Sequence, residues 1–579
     1  MTLKLTRAFY TQNTLEVARK LLGKYLVHVS KEGVIRGRIV ETEAYAGTYD
    51  PASHTFQNRQ TERSAIWYEE GGYAYVYQIH GIYYCLGITA EEESKPGAVL
   101  IRAVEPVDGV ELMLRNRGRN TRGVEKLFSI EQLTNGPSKV CMAMGIDKKC
   151  NHLDLCGDKL YLESDSKDTK ITDIVFTPRI NIDYAGGAAL YHWRYYIRGS
   201  KFISVRKYEP LRSWRNNGYM SLKHQPNPDL FTQFENDMNT KINTDEQEKI
   251  KKLPKVELHL HLEGCIKVET LLKLASQNNV QLPKQILKQK SIYFATFDQF
   301  VYTYYSICNV LVEENDFRLV IRDVIDYVKD NNIIHCEVSW TPFQYLNRGM
   351  RFDHILSIMN DELEIQGMRN RIKFIIDTQR DHGVEVGKLV YSHAFNCRDC
   401  NIVGIGLTGQ EQGFSPTIYR KLFQHAKQKG FGCTAHAGEY GSAMDIWQCV
   451  KDLCVTRIGH GIKAITDDTL MDYLKNKKIH LEISPTSNVR LKRVDSYFAH
   501  PFQTFWSRGL NVGINSDDPE IFGTGLTDEC LSVMNYFGLS LDAIQSTLFD
   551  SIQASFISEN EKETIKQQIV NGRREISCS

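Results

Sequence analysis

Seven short apolar segments in the later part of the chain constrain its fold more than any other feature. Ile334–Thr341, Ile372–Asp377, Val403–Leu407, Gly432–Ala435, Arg457–His460, His480–Ile483 and Asn511–Ile514 alternate with stretches of amphipathic helical pattern. Repeated βα units of this kind predict a (β/α)8 TIM barrel. Ahead of them runs Val256–Gly264, where His259 and His261 stand one residue apart in an extended apolar run. Side chains alternate along a strand, so both imidazoles project to one side. Such a pair makes half of a metal site, and it equally suits a half-buried strand.

Before residue 207 the pattern is different. Tyr25–Val29, Val34–Glu41, Tyr73–Gln78, Tyr83–Ile88 and Ala98–Val104 read as short alternating strands, with helices at Thr14–Leu22 and Pro137–Met144. This predicts an α+β domain around a curved, mostly antiparallel sheet. Between the two parts, Pro210, Asn216-Asn217-Gly218 and Gln225-Pro226-Asn227-Pro228 punctuate a polar stretch, with one helix at Asp229–Met238. The expected organisation is a domain over 1–206, a linker over 207–247 and a barrel over 248–579.

At 579 residues the chain exceeds one typical core. A net charge of +1 argues against a surface generally coated by nucleic acid. No apolar run approaches the ~20 residues that span a bilayer, and no signal-peptide apolar region follows Met1–Arg7. Fourteen scattered cysteines fit a reducing compartment with free thiols. Cys397-Arg398-Asp399-Cys400 is the sole CxxC and reads as incidental. A cytoplasmic protein with no membrane partner is expected, used at the nucleoid if the source is bacterial. Its oligomeric state is not legible.

Three more strand ends carry polar residues that would be odd in an apolar core: Thr434–Glu439 with His436, Ile458–Gly461 with His460, and Asn515–Pro519 with Asp517 and Asp518. In a parallel barrel the C-terminal strand ends converge. Histidines completed by an aspartate suit zinc with one position open to water, whose pKa zinc lowers to ~7. Glu439 could then shuttle protons, and His460 orient or deprotonate the water.

With Cys336–Pro342, Gly404–Glu411 and Ile483–Asn488, these motifs resemble the adenosine deaminase family of metal-dependent hydrolases from about Leu253 to Gln567. The resemblance implies one zinc ion held by His259, His261, His436 and Asp517. Glu439 would protonate purine N1, His460 position the water, Asp518 contact the base near N7, and the Gly409 backbone bind N3. The implied reaction is hydrolytic deamination at C6 of a small adenine compound, with adenosine favoured. Family members specific for adenosine often carry Asp where Glu263 stands, and Glu is common among relatives acting on adenine or aminodeoxyfutalosine.

In the first domain, alternation puts Glu41, Glu43 and Tyr45 on one strand face, close in sequence to His54. Tyr73–Tyr84 is rich in tyrosine, which suits a packed sheet and also walls that stack on an extruded base. Arg115, Arg117, Arg119, Arg122 and Lys126 suit either a solvated face or phosphate contact.

Glu41–Tyr45, Tyr75–Tyr84, Leu100–Pro106 and Asn135–Lys139 resemble the alkyladenine (3-methyladenine) DNA glycosylase family over nearly all of residues 3–206. The resemblance implies duplex DNA with damaged purines as partner and no cofactor. Glu43 would activate water toward C1′, and Tyr45, His54 and Tyr77 would sandwich the flipped base. Arg102 would support the carboxylate, while Arg59, Ser138 and Lys139 hold the DNA backbone. His80 stands where the family commonly has a tyrosine wedge, implying weaker or altered flipping. Gly87 stands where it commonly has Asn, implying a larger pocket and broader purine acceptance, alkylguanines included. The sequence thus predicts a glycosylase fused to a zinc-dependent deaminase. The alternative keeps the deaminase, acting on adenine or aminodeoxyfutalosine, with the first domain only a DNA-binding module.

Overall fold

The computed structural model describes residues 2–79, 81–118, 129–165, 173–205, 243–282, 297–397 and 400–578. His80, Arg119, Arg122, Lys126 and the expected helix Asp229–Met238 lie outside them. The chain divides into two compact units, Met1–Ser221 and Leu222–Ser579.

Among the described residues the first unit is built on nine strands: β1 (Thr2–Lys4), β2 (Tyr25–Ser30), β3 (Gly33–Tyr45), β4 (Ala74–Ile79), β5 (Tyr83–Ala90), β6 (Gly97–Asp108), β7 (Leu160–Asp165), β8 (Ile174–Thr177) and β9 (Arg194–Ile197). They form an antiparallel sheet in the order β1-β7-β2-β3-β6-β5-β4, with β9 joining β3 and β8. The long β3 gives its first half to β2 and Glu41–Glu43 to β9, and lines β6 throughout. Its register against β6 slips on either side of Glu41. Such bulges bend a strand and re-aim its side chains. This one lies where the sequence places its carboxylates.

A buried pair fixes the turn after β3. Arg179 Nη1 and Nη2 donate to Asp50 Oδ2 and Oδ1 at 2.5 and 2.8 Å, and Nη1 also donates to the Ala44 carbonyl at 2.9 Å. Both side chains are 0% exposed. Arg179→Met is expected to cost about 3–5 kcal/mol, because it leaves Asp50 buried and uncompensated. Hydrogen exchange at the β3 amides of the full chain measures it. Unchanged protection would contradict the expectation.

The second unit is a parallel barrel of β10 (Lys255–His261), β11 (Ile333–Trp340), β12 (Ile372–Gln379), β13 (Ile402–Thr408), β14 (Gly432–Ala437), β15 (Arg457–His460), β16 (His480–Ile483) and β17 (Asn511–Ile514), paired in chain order. The ring closes between β10 and the end of β17, where His261 N donates to Asp517 O at 2.9 Å and Asp517 N to His259 O at 3.2 Å. The register of β10 against β11 slips between Glu257 and Leu260. There the Asn515 side chain accepts the backbone N–H groups of Leu258 and His259 at 3.0 and 3.1 Å. The donors left by the slip are thereby satisfied, and His259 is aimed inward.

The floor of the barrel is filled by Phe556. A Cβ on Gly432 would stand 2.0 Å from its ring and one on Gly404 2.7 Å, so only glycine leaves it room. Cys397 and Cys400 are joined by a disulfide. This corrects the reading of that CxxC as incidental. Cys397 caps the helix Val384–Asn396, and Cys400 lies two residues before β13. Among the described residues no helix is long and apolar enough to cross a membrane.

Candidate active sites

In the first unit, Glu43 is fully buried beneath an aromatic rim. Its Oε2 accepts Tyr45 OH at 2.9 Å and Arg102 Nη1 at 3.2 Å, and its Oε1 accepts the backbone N–H of Ile180 at 2.8 Å. Glu41, also fully buried, anchors the arginines behind it. Its Oε1 accepts Arg194 Nε at 2.6 Å, Ser204 Oγ at 2.7 Å and Arg102 Nε at 3.2 Å, and its Oε2 accepts Ser204 N at 2.5 Å. Burial would raise the Glu41 pKa, but Arg194 and Arg102 hold it below the usual carboxylate range.

Tyr45 and Tyr77 are half-buried and His54 is exposed, so the rim faces solvent. The His54 ring meets Tyr77 edge-on at 5.3 Å, and its Nδ1 lies 2.9 Å from Tyr75 OH. Tyr45 and Tyr77 pack against the same cluster of Ile66, Trp67, Tyr75 and Ala98.

Other sequence-derived residues are less closely drawn in. Lys139, half-buried, donates to Asn135 Oδ1 at 2.7 Å, Ser138 is half-buried, and Arg59 is exposed. A Cβ on Gly87 would stand 3.2 Å from Tyr75 Cδ1. Gly87 thus lies against the Tyr75 ring on the adjacent strand.

At the C-terminal end of the barrel strands, donor atoms of His259, His436, His460 and Asp517 lie within 4.8 Å of one another. His261 joins them, its Nε2 3.2 Å from Asp517 Oδ1 and 3.3 Å from His436 Nε2. His259 Nε2 is buried without a hydrogen-bond partner and faces Asp517 Oδ1 at 3.4 Å. A buried imidazole nitrogen left open beside two more imidazoles and a carboxylate fits a divalent metal. Two residues there hold left-handed backbone, His460 at φ 60° and Asp517 at φ 69°. For residues other than glycine this costs about 1–3 kcal/mol each, and such strain gathers at functional sites.

Around this group, Ser487 Oγ donates to Asp517 Oδ2 at 2.6 Å. Asn488 Nδ2 lies 3.0 Å from His460 Nδ1, and its Oδ1 is 3.1 Å from His500 Nε2. His460 Nε2 stands 3.8 Å from Glu439 Oε2 and 3.9 Å from Asp517 Oδ2. Burial, reinforced by Asp517 and opposed by Arg493, pushes Glu439 up to about 7. A carboxyl so placed can exchange a proton near neutral pH.

The loop carrying Glu439 is held by Glu411, which sequence reading did not single out. Its two oxygens accept the backbone N–H groups of Gly438, Glu439, Tyr440 and Gly441 at 2.7, 3.0, 3.4 and 3.2 Å. Asp518 is buried, and burial together with Asp517 raises its pKa. Gly409 has φ +84°, and a Cβ there would stand 2.3 Å from Asp381 Oδ1. Glu263 is buried, its Oε1 accepting Tyr345 OH at 2.9 Å, and burial pushes it up to about 7.

These two sites agree with what the chain is similar to. The Adenosine deaminase family model matches residues 254–572, and the Methylpurine-DNA glycosylase (MPG) model matches residues 8–201. The chain belongs to both families, one through each unit. A Clostridium novyi protein named as a 3-methyladenine DNA glycosylase is 48% identical over 204 residues, covering 35% of this chain and 99% of its own length. An adenine deaminase from Crocosphaera subtropica is 35% identical over 320 residues, covering 55% of this chain and 98% of its own. The crystal structure of an adenine deaminase from Arthrobacter aurescens superposes with a TM-score of 0.51 at 29% identity, over 55% of this chain and 98% of that one.

Proposed function

We propose that the chain is a bifunctional hydrolase: a glycosylase that removes alkylated purines from duplex DNA, and a zinc-dependent deaminase that converts free adenine to hypoxanthine and ammonia. The carrying observation is that each unit holds a complete constellation, Glu43 with Arg102 and Tyr45 in one, and the histidine–aspartate group with Glu439 and His460 in the other. Adenosine is the substrate the sequence favours. Adenine is preferred here because Glu263 stands in place of Asp and the relatives named above are adenine deaminases. No membrane partner enters this reading, and the cytoplasm suits both substrates.

In the glycosylase, Tyr45, His54 and Tyr77 receive the extruded base. Glu43 takes a proton from the water that attacks C1′, and Arg102 holds the carboxylate in place. An alkylated purine is already a good leaving group, so a general base suffices. Arg59, Ser138 and Lys139 contact the backbone, and His80 fills the gap in the duplex.

In the deaminase, His259, His261, His436 and Asp517 would hold the metal. Their nitrogen-rich donor set suits zinc, which when bound supplies an activated water at neutral pH. The Gly409 N–H binds N3 and Asp518 meets N7, which fixes the ring. Glu439 gives a proton to N1 as water adds at C6, and His460 holds that water. The water gives up one proton to His460 as it adds; that proton passes to the C6 amine, the hydroxyl proton returns to Glu439, and the C6–N bond breaks to release ammonia. Glu263, with Tyr345, closes the side of the site where a ribose would extend.

The test is ammonia release by the zinc-loaded full chain with adenine, adenosine, deoxyadenosine and aminodeoxyfutalosine. Adenine is expected to react fastest, and a faster adenosine reaction would restore the nucleoside reading. Removing the metal with a chelator is expected to reduce deamination to background, reversibly on adding zinc. Excision of 3-methyladenine from duplex DNA by the same sample should be unchanged.

A further inference from the structure

His259 presents Nε2 to the metal group, and its other nitrogen is engaged from behind. Nδ1 lies 2.9 Å from Glu482 Oε2 on β16. Glu482 is buried, and its second oxygen forms an ion pair with Arg457 of β15, whose Nε stands 2.5 Å away. Thr434 Oγ1 adds a neutral donor 3.3 Å from both of its oxygens.

Arg457 is itself fully buried and turns toward the barrel floor. Its Nη1 donates to Glu337 Oε2 on β11, and its guanidinium lies 3.9 Å from the centroid of the Phe556 ring. Glu337 Oε1 accepts the backbone N–H of Phe556 at 2.6 Å and stands 3.3 Å from His335 Nε2. The connection thus runs without interruption from the Phe556 backbone through Glu337, Arg457 and Glu482 to His259. Two carboxylates share one guanidinium behind the imidazole.

We propose that Glu482 is a positioning residue for the metal site, fixing His259 with Nδ1–H donating and Nε2 free to ligate, while Arg457 and Glu337 hold Glu482 in place from the barrel floor. The inference rests on the reading of His259 as a metal ligand. An imidazole that donates its second N–H to a carboxylate has its tautomer and ring plane set, and it becomes a stronger donor to the metal. A carboxylate buried this deeply needs its own countercharge, which Arg457 supplies. The role is distinct from catalysis, because Glu482 lies on the side of His259 away from the open nitrogen.

The test is zinc affinity of the metal-free full chain, measured by competition with a chromogenic chelator. The visible spectrum of the cobalt-loaded protein provides a second readout, and thermal melting followed by circular dichroism checks the fold. Glu482→Gln removes the charge and is expected to weaken zinc binding about 10–100-fold and to alter the cobalt spectrum. Glu482→Asp keeps the charge but is too short to reach both Arg457 and His259. It is expected to weaken zinc less than Glu482→Gln and by at least about 3-fold, and it serves if the glutamine variant does not fold. Folded variants with wild-type affinity and spectrum overturn the inference alone. Wild-type protein that takes up no zinc overturns the deaminase reading and this inference with it.

Discussion

Glu43→Gln is expected to reduce base release from alkylated duplex DNA by about 10²–10⁴-fold, the usual contribution of a general base. The substitution nearly preserves shape. Tyr45 OH, Arg102 Nη1 and Ile180 N–H all point at Glu43 as donors. An amide keeps one acceptor oxygen for them and has no basic oxygen for water. DNA binding should change far less than excision, and gel-shift titration alongside single-turnover excision separates the two. Equal background release by wild type and variant would instead favour the DNA-binding module.

Glu439→Gln is expected to lower kcat/KM for adenine deamination by about 10²–10⁴-fold while the metal content stays at the wild-type level. Backbone N–H groups hold the loop on Glu411, so the side chain can change without moving its support. An amide cannot deliver a proton to N1. Metal analysis with steady-state kinetics is the measurement. Loss of metal together with activity would mean that Glu439 serves the metal site and not proton transfer.

Much of this was legible in the sequence, and the reasons are specific. Arg457–His460, His480–Ile483 and Asn511–Ile514 are strands at the residues read from the pattern, because short apolar runs between amphipathic helices leave little freedom. The histidines of β10, His436, His460 and Asp517 converge because a parallel barrel brings its strand ends together.

What stayed hidden depends on long-range partners. Glu43 finds Ile180, and Arg102 finds Ser204, over separations that no local motif records. Strands β7, β8 and β9 were not read from the pattern, and their place is set by distant partners, β1 and β2 for β7 and β3 for β9. Glu337, Arg457 and Glu482 did carry a signal, since a charge inside a buried strand demands a partner. The sequence marks that demand without saying which partner meets it.

The Phe556 plug has a consequence for how the protein is made. Domains generally fold as units as the chain emerges, the N-terminal one first. The hydrogen bonds around Glu43 and Glu41 are all supplied by residues up to Ser204, so the first site can be complete while the barrel is still being translated. The support behind His259 needs Phe556, after every barrel strand has been made. One polypeptide therefore matures its two candidate sites at different times, and a ribosome stalled between them would display the Glu43 site finished and the His259 site unfinished.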